Sequence, residues 1–238
     1  MKEFKCVLQY PREIILSEGF PFQGKWNGGF FSNQSPIVLE LGCGKGEYTV
    51  GLAKACPDKN HIGVDIKGAR MWTGAKEVEE LNLINAAFLR TEIENIDKFF
   101  NPEEVDEIWI TFPDPQMQKT RKRLTSTRFM EMYRKFLKKG GMVHLKTDSP
   151  FLYEYTVRMA RLNGFEIVFQ TDDLYGTGLA DPATSIKTYY EQQWLSRGKK
   201  IKLITMIPPQ GKPLEEPEIE DIPKDDYRAY PRHTVINQ

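Results

Sequence analysis

Cysteine is sparse in this chain, and the three that occur, Cys6, Cys43 and Cys56, are odd in number and never spaced C-x-x-C. That pattern signals neither a zinc site nor a disulfide framework, and reads as small apolar fillers in a reducing compartment. His61, His144 and His233 stand far apart, with no H-x-x-x-H pair or Cys/His cluster, so no metal is expected. No apolar run approaches the roughly 20 residues of a membrane span. The opening Lys2, Glu3 and Lys5 lead into no apolar h-region. These absences predict a soluble, cytoplasmic protein with no membrane partner. Internal repeats and low-complexity arrays are missing too. So is an excess of charge: 33 Lys and Arg balance 33 Asp and Glu, which by itself argues against nonspecific binding of nucleic acid.

The distribution of charge argues otherwise. Between Phe112 and Gly140 lie Lys119, Arg121, Lys122, Arg123, Arg128, Arg134, Lys135, Lys138 and Lys139, against only Asp114 and Glu131. From Pro213 onward the chain carries Glu215, Glu216, Glu218, Glu220, Asp221, Asp225 and Asp226. Such asymmetry creates a local positive field on a neutral molecule.

What is present is an alternation of β-branched apolar runs with amphipathic stretches, the pattern of an α/β protein with a parallel sheet. Strands are expected at about 37–41, 61–65, 86–89, 105–111, 141–146, 165–170 and 201–207, and helices near 46–55, 68–82, 126–138 and 150–162. Lys139-Gly140-Gly141 is read as closing a helix and starting the fifth strand. The last two strands have no clear helix of their own, so an antiparallel terminal hairpin is the simplest finish. The first 35 residues, aromatic and without periodicity, are expected as a wrapping arm or partly mobile segment, with the main domain over 36–207. The Pro- and acid-rich tail, 208–238, is expected to lie off the core. Within it, Tyr227-Arg228-Ala229-Tyr230-Pro231-Arg232 reads as docking on its own domain, with stacking on bases as the alternative.

The most informative stretch is Val38-Leu39-Glu40-Leu41-Gly42-Cys43-Gly44-Lys45-Gly46-Glu47, an apolar strand running into a turn with glycine at every second position. Gly42 and Gly44 permit left-handed dihedrals and close approach of a ligand. A dinucleotide fingerprint reads G-x-G-x-x-G, but here the third glycine comes one residue early. Glu40 puts a carboxylate at the strand's end, which repels a pyrophosphate and suits a cation or an amine. S-adenosylmethionine carries both a sulfonium and an α-ammonium, and no phosphate. About twenty residues on, His61-Ile62-Gly63-Val64-Asp65 reads as a second strand ending in an acid that accepts hydrogen bonds from ribose hydroxyls. That position serves NAD and S-adenosylmethionine equally.

Ile108-Trp109-Ile110-Thr111-Phe112-Pro113-Asp114-Pro115 is the second strong signal, a strand ending in a carboxylate between two prolines. The prolines fix φ and bar a helix from starting at once, so Asp114 is held at the rim of the site. Methylation at guanine N7 uses an existing lone pair, so no strong base is needed. A carboxylate can instead accept hydrogen bonds from N1–H and the exocyclic amine, stabilising the positive charge that builds on the purine.

The glycine loop with Glu40, Asp65, the Phe112-Pro113-Asp114-Pro115 element, the basic run after it, Lys146-Thr147-Asp148, and Thr188-Tyr189-Tyr190-Glu191 occur in the order seen in bacterial tRNA (guanine-N7-)-methyltransferases, and over about residues 36–206 the chain resembles that family. The resemblance implies a class I methyltransferase fold, a Rossmann-like three-layer α/β sandwich on a seven-stranded, mostly parallel sheet with an antiparallel terminal strand. It implies S-adenosylmethionine as cofactor, contacted by Glu40, Asp65, Glu92 and Asp114, with Asp114 as the active-site residue, and Asp148 with Thr188, Tyr189, Tyr190 and Glu191 on the substrate side. It implies as substrate the variable-loop guanine at tRNA position 46. Two departures stand out. Glu92 occupies a position where the family usually has Asp, and Gln116-Met117-Gln118-Lys119-Thr120-Arg121-Lys122-Arg123 is about two residues shorter than the family's Trp-Pro-Lys-Lys-Arg-His-Asn-Lys-Arg-Arg. The family's substrate-contacting lysine therefore falls on Gln118 or Lys119, and we assign Lys119. Arg121, Lys122 and Arg123 are expected on RNA phosphates. N7 of a guanine in an A-form helix is hidden in a deep, narrow groove, so the target should sit in a loop or junction of folded RNA. Lys146 is left outside the site as a structural ion pair. A small-molecule methyltransferase, an NAD oxidoreductase and a noncatalytic RNA-binding protein are the alternatives, and monomer and homodimer both stay open.

Overall fold

A computed structural model describes residues 4–226; the stretch 227–232, expected to dock on the domain, lies outside the described residues. In chain order the elements are β1 (Val7–Leu8), α1 (Arg12–Ser17), a π-helical turn (Trp26–Phe31), β2 (Ile37–Leu41), α2 (Glu47–Ala55), β3 (Asn60–Asp65), α3 (Gly68–Glu80), β4 (Ala86–Arg90), a 3-10 helix (Ile93–Lys98), β5 (Val105–Thr111), a 3-10 turn (Thr120–Lys122), α4 (Thr127–Tyr133), β6 (Leu137–Thr147), α5 (Pro150–Leu162), β7 (Glu166–Thr171), α6 (Tyr189–Leu195) and β8 (Lys202–Ile207). The strands form one sheet in the order β1-β4-β3-β2-β5-β6-β8-β7. Pairing is parallel from β1 through β6, and β8 runs antiparallel to both β6 and β7. This is the mostly parallel α/β sandwich with an antiparallel end that the sequence predicts, with eight strands in place of seven.

Central strands of a sheet covered on both faces are apolar without alternation, and all five residues of β2 are buried. The flanking helices bury one stripe each: Met71, Gly74, Ala75 and Val78 on α3, and Phe151, Leu152, Tyr155, Thr156, Val157, Met159 and Ala160 on α5. The spacings of three and four residues in both stripes are those of one helix face. Full burial of each large apolar side chain contributes about 1.5–3 kcal/mol.

The extra strand comes from the N-terminal segment, which is built into the core where it is described. Val7 and Leu8 pair in parallel with Phe88 and Leu89 at the sheet edge. Trp26 is fully buried between Phe20, Phe31 and Phe100, and its indole N–H donates to the Phe99 carbonyl at 2.9 Å. Glu104 secures the turn by accepting from the backbone N–H of Gly24 and of Trp26. Aromatic packing without periodicity fills this side of the core, which is why the segment read as an arm.

Two further expectations are corrected. The helix expected over 126–138 stops at Tyr133, because Leu137 already pairs with Val105 on β5. Gly140, at φ +76°, therefore lies inside β6 rather than after a helix, and the register with β5 shifts between Val105 and Glu107. The acidic tail is likewise bound to the core as far as it is described. Glu216 accepts from Thr127 N–H and Oγ1 at the start of α4 and from the Tyr155 hydroxyl. Asp225 accepts from Ser149 Oγ and Phe151 N–H at the start of α5. Carboxylates are favoured at helix N-termini, so the acid-rich composition that reads as a solvated tail also suits capping.

Candidate active site

Strand order reverses between β2 and β5, and ligands in open α/β sheets bind at such a switch point, outside the carboxyl ends of the strands. The loops leaving β2 and β5 meet there. Gly42, Phe112, Pro113, Asp114, Gln116 and Lys122 all line one cavity of 270 Å³. A second cavity, of 260 Å³, opens at the end of β4, between Ile66, Thr91, Glu92 and Asn95 on one side and Tyr10 and Leu16 of the N-terminal segment on the other. In strand order Asp65, at the end of β3, stands between the two.

The three loop glycines differ in what they do. Gly42 (φ +84°) and Gly44 (φ +55°) face open space, where an added Cβ meets nothing within 4 Å. At Gly46 a Cβ would come within 2.6 Å of Phe88 and 3.2 Å of the Gly74 Cα, so that glycine serves the packing of the loop on α3 and β4. Gly42 and Cys43 both donate their N–H to the Val64 carbonyl. Asp65 accepts from Gly44 N–H at 3.0 Å with one carboxylate oxygen and from Lys67 N–H at 2.8 Å with the other. Each oxygen keeps a second lone pair for a diol.

Glu40, expected to touch the cofactor, is buried at the end of β2. Its two oxygens accept from Thr49 Oγ1 on α2 at 2.5 Å and from Thr111 Oγ1 on β5 at 2.6 Å. Burial pushes its carboxyl above the ordinary range, and the threonine hydroxyls pull the other way. A carboxylate at mid-sheet must find such partners; here they tie β2 to α2 and β5.

The Phe-Pro-Asp-Pro element is bracketed by backbone in the left-handed region, Phe112 at φ +48° and Gln116 at φ +47°. Non-glycine residues adopt that region at a cost of about 1–2 kcal/mol each, so the surroundings must enforce it. Phe112 N–H donates to the Lys146 carbonyl at 2.8 Å. Asp114 is exposed, and one of its oxygens accepts from Gln116 N–H at 3.0 Å.

The basic run divides in two. Lys119, Arg121, Lys122 and Arg128 are exposed and make no ion pair among the described residues, whereas Arg134, Lys135, Lys138 and Lys139 pair with Glu131, Asp97, Asp106 and Glu103. The uncompensated positive charge therefore concentrates beside Asp114, and Lys122 lines the same cavity. Arg123, expected on phosphate, is a correction: it is 0% exposed, turned inward under the loop, and cannot reach RNA.

The Thr-Tyr-Tyr-Glu motif is also divided. Thr188 caps α6, accepting from Glu191 N–H at 3.2 Å, the first half of a capping box. Glu191, expected at the substrate, is fully buried with Lys146 Nζ at 2.9 Å and the Tyr175 hydroxyl at 2.5 Å. Lys146 also donates to the Thr184 and Ile186 carbonyls, and burial holds its ammonium below the usual range. The motif's middle is what faces out. Tyr189 is 59% exposed, with Lys45 Nζ 5.3 Å from its ring centre and its N–H donating to Glu47 beside the glycine loop. Tyr190 packs edge-on to Phe112, 5.7 Å between centroids. Asp148, expected on the substrate side, is buried just before α5. Glu92 is exposed and accepts from Asn95 at the 260 Å³ cavity.

Sequence reasoning missed Tyr10, Leu16 and Ile66, because only the sheet order brings them to Glu92. The T-x-x-E spacing of a capping box was the available signal for Thr188. Among the described residues no group of His, Cys, Asp and Glu is placed to hold a metal, and no helix is long and apolar enough to cross a membrane.

Residues 34–204 match a family model described as "Putative methyltransferase". A tRNA (guanine-N(7)-)-methyltransferase of Bacteroides fragilis is 56% identical over 232 residues, 98% of this chain and 92% of the relative. One of Porphyromonas gingivalis is 56% identical over 238 residues, 98% and 96% of the two chains. Among solved structures, the 16S rRNA methyltransferase KamB superposes with a TM-score of 0.58 at 13% identity, over 78% of this chain and 93% of that one, a likeness of fold. With a glycine loop and a proline-bracketed aspartate meeting at the switch point, this chain belongs to the tRNA (guanine-N(7)-)-methyltransferase family.

Proposed function

We propose that this protein transfers the methyl group of S-adenosylmethionine to N7 of the variable-loop guanine at tRNA position 46, in the cytoplasm, as a monomer or homodimer. The observation that carries the reading is that Gly42 of the cofactor loop and Asp114 line the same cavity. The residues fit the cofactor: open space over Gly42 and Gly44, free lone pairs on Asp65, and a partly apolar cavity beside it with polar groups on Glu92 and Asn95 for a base. S-adenosylmethionine, when bound, supplies an electrophilic methyl group on a positively charged sulfur.

Asp65 accepts the ribose hydroxyls while its existing bonds to Gly44 and Lys67 keep the loop fixed. Asp114 accepts N1–H and the exocyclic amine of guanine, orienting N7 toward the glycine loop and opposing the positive charge that develops on the ring. Adenine lacks that donor pair and is refused, because a carboxylate covered by the bound base and left without donors is costly. Lys119, Arg121 and Lys122 hold the phosphates, and Tyr189 and Tyr190 offer faces to unstacked bases. N7-methylated guanine makes the RNA chain cleavable after reduction and aniline treatment. Unmodified tRNA incubated with the protein and S-adenosylmethionine should therefore be cut at position 46, and a transcript with adenine there should stay whole. Cleavage elsewhere, or none, overturns the assignment.

A further inference from the structure

We propose that Arg123 is a positioning residue for Asp114, acting from behind the loop to impose the conformation in which that carboxylate works; this rests on the reading of Asp114 as the active-site acid. Three consecutive carbonyls of the loop converge on its guanidinium. Nε donates to Pro115 O at 3.1 Å, and Nη2 donates to Gln116 O at 3.1 Å and Met117 O at 3.3 Å. The charge is fully buried and lies over the Tyr155 ring at 4.2 Å and the Phe151 ring at 5.0 Å, both on α5. Tyr155 in turn donates to Glu216 of the tail.

The loop needs such a partner. Residues 115–117 have no ladder to join: Gln116 O also accepts from Lys119 N–H at 3.0 Å, but the buried Pro115 carbonyl and the half-buried Met117 carbonyl take their donors from Arg123, and Gln116 sits at φ +47° with its N–H on Asp114. A planar cation with donors in a fixed fork can gather three carbonyls and stack between rings at once. A lysine ammonium cannot, since it is a point charge that neither forks nor stacks. Gln116 N–H, which donates to Asp114 Oδ1, lies in the same planar peptide unit as the Pro115 carbonyl, so the Arg123 Nε bond to Pro115 O fixes its direction, and the bonds to Gln116 O and Met117 O hold the strained turn that follows. The cation thus acts on the carboxylate through the backbone, without touching substrate.

The experiment measures three quantities in wild type, Arg123→Lys, Arg123→Ala and Asp114→Asn: the single-turnover methylation rate, affinity for S-adenosylhomocysteine, and the salt slope of tRNA affinity. Misplacement of a reacting group by about an ångström costs on the order of a hundredfold, so Arg123→Lys is expected to slow the chemical step about 30- to 100-fold. Cofactor affinity and salt slope should stay within about twofold of wild type, because no phosphate contact is lost. Two rescues follow. Millimolar guanidinium should restore part of the rate of Arg123→Ala. Gln116→Gly, which takes positive φ without strain, should recover several-fold of the rate when added to Arg123→Lys, and this second rescue decides the matter if the alanine variant does not fold. A folded Arg123→Lys within about threefold of wild type, a reduced salt slope, or no recovery from Gln116→Gly would each overturn the proposal. A wild-type rate in Asp114→Asn would instead remove the reading on which it rests.

Discussion

Of the acids expected at the site, Glu40, Asp148 and Glu191 are buried, while Asp65, Glu92 and Asp114 reach its edge. The separation follows from position along the strands. Glu40 lies within β2, where the sheet is covered on both faces, and its charge is met by two threonine hydroxyls. Asp65 ends β3 and Asp114 lies past the end of β5, where the backbone turns and leaves lone pairs free. We expect Asp65→Ala to weaken S-adenosylmethionine binding by about 1.5–3 kcal/mol, the scale of hydrogen bonds to a charged group, in a protein that still folds. Calorimetry giving an unchanged affinity would remove the ribose assignment. Asp114→Asn should slow single-turnover methylation roughly a hundredfold, as about 3 kcal/mol of charge stabilisation is lost, with tRNA affinity little changed; a rate within a fewfold of wild type would make Asp114 a turn residue.

The sheet's inner elements were legible because burial on both faces leaves unbroken apolar runs. The strands expected at 37–41 and 105–111 are those observed, and the helix expected near 150–162 is α5. Elements held by tertiary contacts were not legible. The strand β1 is two residues long and exists through its pairing with β4, and α6 is seven residues held by tertiary contacts, among them the Glu191–Lys146 pair and the Tyr190–Phe112 packing. Within the site, the glycines, Asp65 and Asp114 could be read from spacing, but the inward turn of Arg123 and Glu191 could not, because charge runs and motif acids look alike whether solvated or buried. Lys146, expected as a structural ion pair, has Glu191 as its partner. Breaking such a pair by removing one member leaves a buried charge and costs about 3–5 kcal/mol. Lys146→Met should lower unfolding stability by that order, and Lys146→Met with Glu191→Leu should recover a good part of it. Denaturant titrations in which the double variant is as unstable as the single one would show that the loop carbonyls at Thr184 and Ile186, rather than the pair, depend on the lysine.

For the molecule as a whole, a net charge of zero conceals a division of labour. The acidic tail caps α4 and α5 through Glu216 and Asp225 and binds Arg158 through Asp221, while the distal lysines of the basic run are neutralised by acids on neighbouring elements. Left exposed without an ion pair among the described residues are Lys119, Arg121, Lys122 and Arg128, on the segment that follows Asp114, and Lys122 lines the cavity that holds Asp114. Phosphate contacts release condensed counterions, so Arg121→Ala with Lys122→Ala should weaken tRNA binding and flatten the plot of log affinity against log salt by somewhat under one unit per contact. Cofactor affinity should be unaffected, and an unchanged slope would place the RNA elsewhere. Whether this arrangement methylates N7 of guanine in tRNA is decided by incubating the protein with labelled S-adenosylmethionine and unmodified tRNA and identifying the methylated nucleoside by mass spectrometry. The labelled product should be 7-methylguanosine; a different methylated nucleoside, or none from protein that binds both the cofactor and the tRNA, would rule out N7 of guanine as the target.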